Sequence, residues 1–285
     1  MRRFNLKLYI FLKQLTSNGR LSISTKNLGR QNFCEGEAGA LKSLDSNLLR
    51  TGIAYGHKKK SQILLRNHYY KNNEPLEEKD FLQAIAVPFE DPSTQYFVTG
   101  FDGFPAFGFK QGASIKHPYR LFLPERLYRE FSLLVATKPE TRDKAFLFAV
   151  TNPLENLIQL GLSLTPGDGS STNISLYYTD GERHMTSQTI ATFIVPDFAG
   201  MWTRFAFSVT ETEVQLWFNC QLFNSVAVKR VPEQLMFDTA STLYIAQAGG
   251  IFKGEFQGAL QELRIYNAPE MAKVQCDESV VVTAN

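Results

Sequence analysis

From Tyr96 onward the chain is a succession of short apolar runs with turn clusters between them and almost no helical period. "FSLLVATK" (Phe131–Lys138) is largely apolar, and "KAFLFAVT" (Lys144–Thr151) follows the turn "PETRD". In "NLIQLGLSL" (Asn156–Leu164), Ile158, Leu160, Leu162 and Leu164 fall on one face if the strand is regular. "PGDGSS" marks a turn, "NISLYYTD" (Asn173–Asp180) a strand, and Asp180-Gly181 a hairpin signal. "TIATFIV" (Thr189–Val195) stops at Pro196, and "WTRFAFSVT" (Trp202–Thr210) sets Phe205, Phe207 and Val209 on one face. "EVQLWFNCQLF" (Glu213–Phe223), "SVAVKRV", "TLYIAQAGG" and "FQGALQELRIYNA" complete the series. Roughly ten strands at intervals of about 10–15 residues predict two antiparallel sheets packed face to face, not βαβ units. The predicted inner face holds Phe131, Leu133, Phe146, Phe148, Leu160, Leu162, Phe205, Phe207, Leu216 and Phe218.

The start of the chain differs. Residues 1–76 are rich in Lys, Asn, Ser and Arg and hold no period, so they read as an irregular or disordered extension. The domain is expected over 77–279 and a short tail over 280–285. "EEKDFLQAIAV" predicts one short amphipathic helix with Phe81, Leu82 and Ile85 on one side, ended by Pro88. "MRRFNLKLYIFLKQLTS" opens like a secretory signal, but Lys7 and Lys13 break its apolar run and no A-x-A site follows, so it reads as an arbitrary leader. No run is long enough to predict a membrane span.

Charge excludes some roles. A formal net charge of +2 on 285 residues is too balanced for a nucleic-acid binder by charge alone. The histidines His57, His68, His117 and His184 stand in no nucleophile context and no ligand spacing. Glu211 and Glu213 put two carboxylates on one face of a strand, as sandwich glycosidases do, but they sit beside a turn and read as a solvated strand entry. "QAGG" (Gln247–Gly250) lacks the lysine and the helix of a phosphate loop and reads as a connection between strands. Asp168, Asp180 and Asp197 are scattered loop acids, so no metal site and no cofactor are predicted. Spacing leaves Cys220 and Cys276 open to two states, a disulfide or two buried thiols.

The order of "DGFPAF" (Asp102–Phe107), "LGLSL" (Leu160–Leu164), "LYYT" (Leu176–Thr179), "NC" at 219–220 and a distant "CD" at 276–277 resembles a thrombospondin N-terminal-like domain. Such domains belong to the laminin-G-like jelly-roll superfamily, and the details resemble those opening the multiplexin collagens, types XV and XVIII, type XV more than type XVIII. The resemblance runs from about Phe81 to Glu278. It implies an all-β jelly-roll sandwich and a disulfide between Cys220 and Cys276, leaving Cys34 without a counterpart. That bond fits an oxidising compartment. It also implies a non-enzymatic, secreted module of the basement membrane zone that contacts matrix proteins and heparan sulfate. Lys116, Arg120, Arg126, Arg129, Lys229 and Arg230 are the candidate glycosaminoglycan contacts, because sulfates call for converging cations. A lectin-like glycan-binding module is the alternative. Asn173-Ile174-Ser175 is a glycosylation sequon. The chain has no Gly-X-Y tract, so oligomerisation through a collagenous region would need sequence absent here, as expected of a fragment or short form.

Overall fold

The computed structural model describes residues 75–276. Its strands are β1 (Glu78–Asp80), β2 (Gln95–Thr99), β3 (Pro105–Phe109), β4 (Ile115–Pro118), β5 (Phe131–Pro139), β6 (Ala145–Thr151) and β7 (Ile158–Pro166). They continue as β8 (Ser171–Tyr178), β9 (Thr189–Pro196), β10 (Thr203–Val209), β11 (Glu213–Phe218), β12 (Gln221–Ala227), β13 (Thr242–Ile245) and β14 (Gly258–Tyr266). One sheet of 8 strands runs β12-β11-β10-β5-β14-β3-β2, and β1 pairs with β14. The other, of 6 strands, runs β4-β13-β6-β7-β8-β9. All pairings are antiparallel. The expected all-β sandwich is therefore the architecture of the described residues.

The core lies between the sheets. Phe131, Leu133 and Val135 of β5 and Phe205, Phe207 and Val209 of β10 face Leu160, Leu162 and Leu164 of β7 and Ile174 and Leu176 of β8, all in one buried cluster. Each such side chain contributes about 1.5–3 kcal/mol by leaving water. Phe146 departs from the expectation. The register against β7 shifts between Phe146 and Phe148, so Leu147 and Phe148 both enter the core. Phe146 turns to the other face, where it packs with Ala149, Ile158, Ala248, Tyr177 and Phe252. A second shift between Val150 and Thr151 likewise separates Ile158 from Leu160, Leu162 and Leu164. A bulge reverses the alternation beyond it, and the apolar run 145–150 carries no local mark of where the bulge falls.

The segment read as a short amphipathic helix is split. Glu78–Asp80 pairs with Tyr266–Arg264, and only Phe81–Ala84 turns, as a single 3-10 turn. Asp80 begins that turn by accepting a 3.0 Å hydrogen bond from the Leu82 N–H. Phe81, Leu82, Ala84 and Ile85 are all buried, so the turn is enclosed on more than one side. Asp180-Gly181 does not make a tight hairpin: residues 179–188 join β8 to β9, with Asp180 accepting from the Glu182 N–H at 3.0 Å. The two-residue turn instead joins β11 to β12 at Asn219-Cys220, with φ of 48° and 71°. Two successive left-handed residues are what a tight hairpin matched to strand twist requires, and Asn suits the first. The expected extension (1–76) and tail (280–285) fall outside the described residues, except for Pro75 and Leu76.

Candidate functional site

Three surface features carry chemistry, and the first is covalent. Cys220, in the β11–β12 turn, is bonded to Cys276 across a separation of 56 residues, with the Cα atoms 5.6 Å apart. Between β14 and that bond, a 3-10 helix (Pro269–Val274) packs on β5 and β10 and buries Met271 and Ala272. It lies on the face of the larger sheet turned away from the core. That face would otherwise expose Leu134, Ala136 and Ala206, which are buried. Gln275 completes the strap by donating from Nε2 to the Val135 carbonyl and to Glu262 Oε2, each at 2.9 Å.

Glu262 is the polar anchor beneath the strap. Burial pushes its carboxyl above the usual value, partly offset by Arg264, by the Gln275 amide and by Arg204. Burial also works against the Arg264 charge, but Glu262 and the acids of β1 hold that guanidinium above its usual value. Arg264 reaches Glu262 at 3.7 Å and Glu78 at 3.5 Å. The tip of the β2–β3 hairpin meets the same face. Arg204 lies 4.3 Å over the Phe101 ring and 3.5 Å from Asp102, while Trp202 packs on Phe101 at 5.4 Å. Gln261 Oε1 accepts from the Phe101 N–H at 2.7 Å. "DGFPAF" thus has a structural task, seating the hairpin tip on β10 and β14.

The candidate basic residues come from several segments, some of which run side by side. The segment 125–127 runs beside 235–237, with Leu127 N–H donating to the Leu235 carbonyl and Phe237 N–H to the Glu125 carbonyl. Arg126 bridges to Met236, Arg129 lies 3.8 Å from Glu233, and Arg120 donates to the Thr239 carbonyl. Lys116 stands on the edge strand β4, and Lys116, Arg120, Arg126, Arg129 and Lys229 are exposed. Arg230 differs. It is 3% exposed and donates to three main-chain carbonyls, Thr210 and Glu233 at 3.0 Å each and Arg129. Its guanidinium lies 5.5 Å from the Tyr178 ring centroid. All of this ties Arg230 to the loops it joins and leaves it no free donor face for a sulfate. From sequence, "KR" at 229–230 gives no hint of which cation turns inward.

The third feature is a polar cleft of about 370 Å³ beside residues 247–257. Its walls carry Gln111, Gln247 and Gln257 together with Asp143, Lys144, Lys253 and Glu255. From sequence, "QAGG" reads only as a connection, because amides and glycines carry no catalytic pattern.

The other candidates stay apart. Asn173 is half-buried in β8, paired with Thr165 and Ile194, and its Oδ1 is buried without a partner. Glu211 is exposed and Glu213 accepts from Gln215 at 3.0 Å, beside the turn closed by Thr210. Asp168 and Asp197 belong to the loops at the Ser171 end of β8, and Asp180 to the loop after its Tyr178 end. Among the described residues no three His, Cys, Asp or Glu side chains gather as metal ligands. Nor is any helix there long and apolar enough to cross a membrane.

No family model matches the chain. Over 174 residues it is 32% identical to the collagen alpha-1(XVIII) chain of Homo sapiens, which covers 60% of this chain and 10% of that one. The chain thus spans about a tenth of the collagen it matches, and the collagen resemblance read from its motifs is shown over that region. Among solved structures, domain 4 of AbnA, a GH43 extracellular arabinanase from Geobacillus stearothermophilus, in complex with arabinotriose, is 20% identical with a TM-score of 0.46, over 70% of this chain and 87% of that one. Domains LG4-5 of the mouse laminin alpha1 chain are 13% identical with a TM-score of 0.39, over 56% and 40%. The heptameric SAP-like pentraxin from Limulus polyphemus is 14% identical with a TM-score of 0.41, over 52% and 69%.

Proposed function

We propose that residues 77–279 form a non-catalytic contact module of the extracellular matrix, of the kind that opens a multiplexin collagen. The observation that carries this reading is the 32% identity over 174 residues to a collagen chain. The disulfide that pins the strap agrees with it, since such a bond persists only where the surroundings are oxidising. In this reading the module is secreted, resides in the basement membrane zone and organises matrix by adhesion. In this reading Asn173 is the module's glycosylation site.

Heparan sulfate is the polyanion to test. The exposed cations Lys116, Arg120, Arg126, Arg129 and Lys229 are the contacts, without Arg230. Five exposed cations, one of them paired with Glu233, suit a weak polyanion contact whose strength falls steeply with salt. Non-reducing peptide mapping of protein recovered from the medium of expressing cells tests the module itself. The expected result is a Cys220–Cys276 crosslinked peptide and a glycan on Asn173. A chain that folds reduced and stays inside the cell overturns the reading. For the polyanion, elution from immobilised heparin is expected at lower salt in the triple variant Arg120→Ala, Arg126→Ala, Arg129→Ala.

A further inference from the structure

The contact reading leaves the polar cleft unused, yet the cleft is built rather than accidental. Its longest wall is the connection from β13 to β14. The ends of that connection meet where the Phe256 N–H donates to the Ala246 carbonyl at 2.7 Å. Two further main-chain bonds fasten it to β6: Ala246 N–H to the Leu147 carbonyl at 3.0 Å and Phe146 N–H to the Gly254 carbonyl at 2.9 Å. Phe252 pins the middle by packing edge-on to Phe146 at 6.5 Å. A compact surface loop closed at its base and packed by its own side chain is a frequent carrier of function. Gly249 sits at φ 86°, where an added Cβ would come within 3.3 Å of the Tyr244 ring, and a Cβ added at Gly250 would meet open space.

The lining then decides the ligand. Asp143 and Glu255 balance Lys144 and Lys253, so the lining carries no net formal charge and favours neither an anion nor a cation. The side chains of Gln111, Asp143 and Gln257 make no hydrogen bond within the described residues, and Gln247 makes only a long one, 3.5 Å to Ser114 Oγ. Amide side chains offer a donor and an acceptor together, which is what a hydroxyl needs, and Phe252 supplies a ring at the same wall. The volume of about 370 Å³ falls within the range of ligand pockets. From these observations we propose that the cleft binds an uncharged saccharide unit through Gln111, Gln247 and Gln257. The inference rests on the contact-module reading and gives that module a ligand class.

Two-dimensional NMR of the folded chain tests it, titrating lactose, cellobiose, mannobiose and arabinobiose at millimolar concentration, with a heparin hexasaccharide and an uncharged peptide as comparisons. The expected result is that at least one neutral disaccharide shifts amides of 246–257, unaffected by added salt. Gly250→Tyr fills the cleft from a position with room for a side chain, and the pair Gln247→Ala, Gln257→Ala removes two amides. Each is expected to weaken binding at least tenfold with an unchanged melting temperature. The proposal is overturned if no neutral sugar moves those amides, or if binding survives in both variants while they remain folded. It is equally overturned if only the heparin fragment binds and salt abolishes it, or if only the peptide binds. A chain that is secreted and disulfide-bonded but ignores neutral sugars sinks this inference and leaves the matrix module standing. A chain that binds the sugar but stays reduced inside the cell does the reverse.

Discussion

Removing the Cys220–Cys276 bond is the sharpest perturbation available, because its two effects can be told apart. The bond closes a loop of 56 residues' separation that contains β12, β13 and β14. In the chain-entropy description, opening such a loop frees the unfolded chain and costs about 4 kcal/mol of folded-state stability. For a domain of this size each kcal/mol moves the melting temperature by roughly 2–4 °C, so the double variant Cys220→Ser, Cys276→Ser should melt about 8–16 °C lower. The strap itself is held by other contacts. Met271 and Ala272 are buried, and Gln275 keeps its bonds to Val135 and Glu262. The folded state should therefore keep the strap docked, and the loss should come from the unfolded chain. Urea denaturation reads this directly: with the crosslink gone, the unfolded state expands and the m-value rises. Hydrogen exchange at β5 and β10 under native conditions should hardly change near the strap. A double variant that melts within about 2 °C of the parent would refute the argument. So would a large loss with an unchanged m-value and newly exposed amides on β5, since the bond would then be holding the folded strap in place.

Other outcomes follow from single positions. Arg230→Ala leaves the carbonyls of Thr210, Glu233 and Arg129 without their donor in a buried setting. It should cost about 3–5 kcal/mol in urea denaturation, while Lys229→Ala beside it should stay within about 0.5 kcal/mol. Gly258→Ala places a Cβ 2.3 Å from the Lys138 carbonyl oxygen at a φ of 144°, so the β14–β5 register must shift. A loss of at least about 2 kcal/mol, or failure to accumulate as folded protein, is expected by thermal melting. Glu262 has a folded pKa raised above its unfolded value, so folding takes up a proton between the two. Its contribution is fully present below the ordinary carboxylate range and is lost as pH rises through the raised folded pKa. Glu262→Gln should remove that part of the slope, so the parent should lose stability relative to the variant as pH climbs from about 4 to neutrality. Parallel pH profiles of urea unfolding would show the divergence.

Much of the fold was legible because it is periodic. Phe205, Phe207 and Val209 alternate with Arg204, Ala206 and Ser208, and that local spacing alone assigns the inner face of β10. The same reasoning failed at Phe146 and Ile158, where bulges reverse the facing. A run such as "AFLFAV" is apolar at every position, so nothing local says where the bulge falls. The candidate cations were legible only as a type of residue. Lys229 and Arg230 are neighbours, yet one is exposed and the other is buried under three carbonyls, because the loops that meet there come from residues 129, 210 and 233.

What the sequence determined by itself was the class of structure and its sidedness: strands of period two, turns where Gly, Pro, Asn and Asp gather, and apolar faces that must meet. These are local properties, fixed by backbone geometry and by where each side chain points. Only the tertiary structure decided which apolar positions on the outer face are covered, since Leu134, Ala136 and Ala206 need a strap that begins more than sixty residues later. It alone seated Glu262 beneath that strap and gathered Gln111, Asp143, Gln247 and Gln257 around one cleft. The physical reason is that burial, pairing of charges and the enclosure of a cavity belong to groups distant along the chain, and only the packing of the two sheets brings them together.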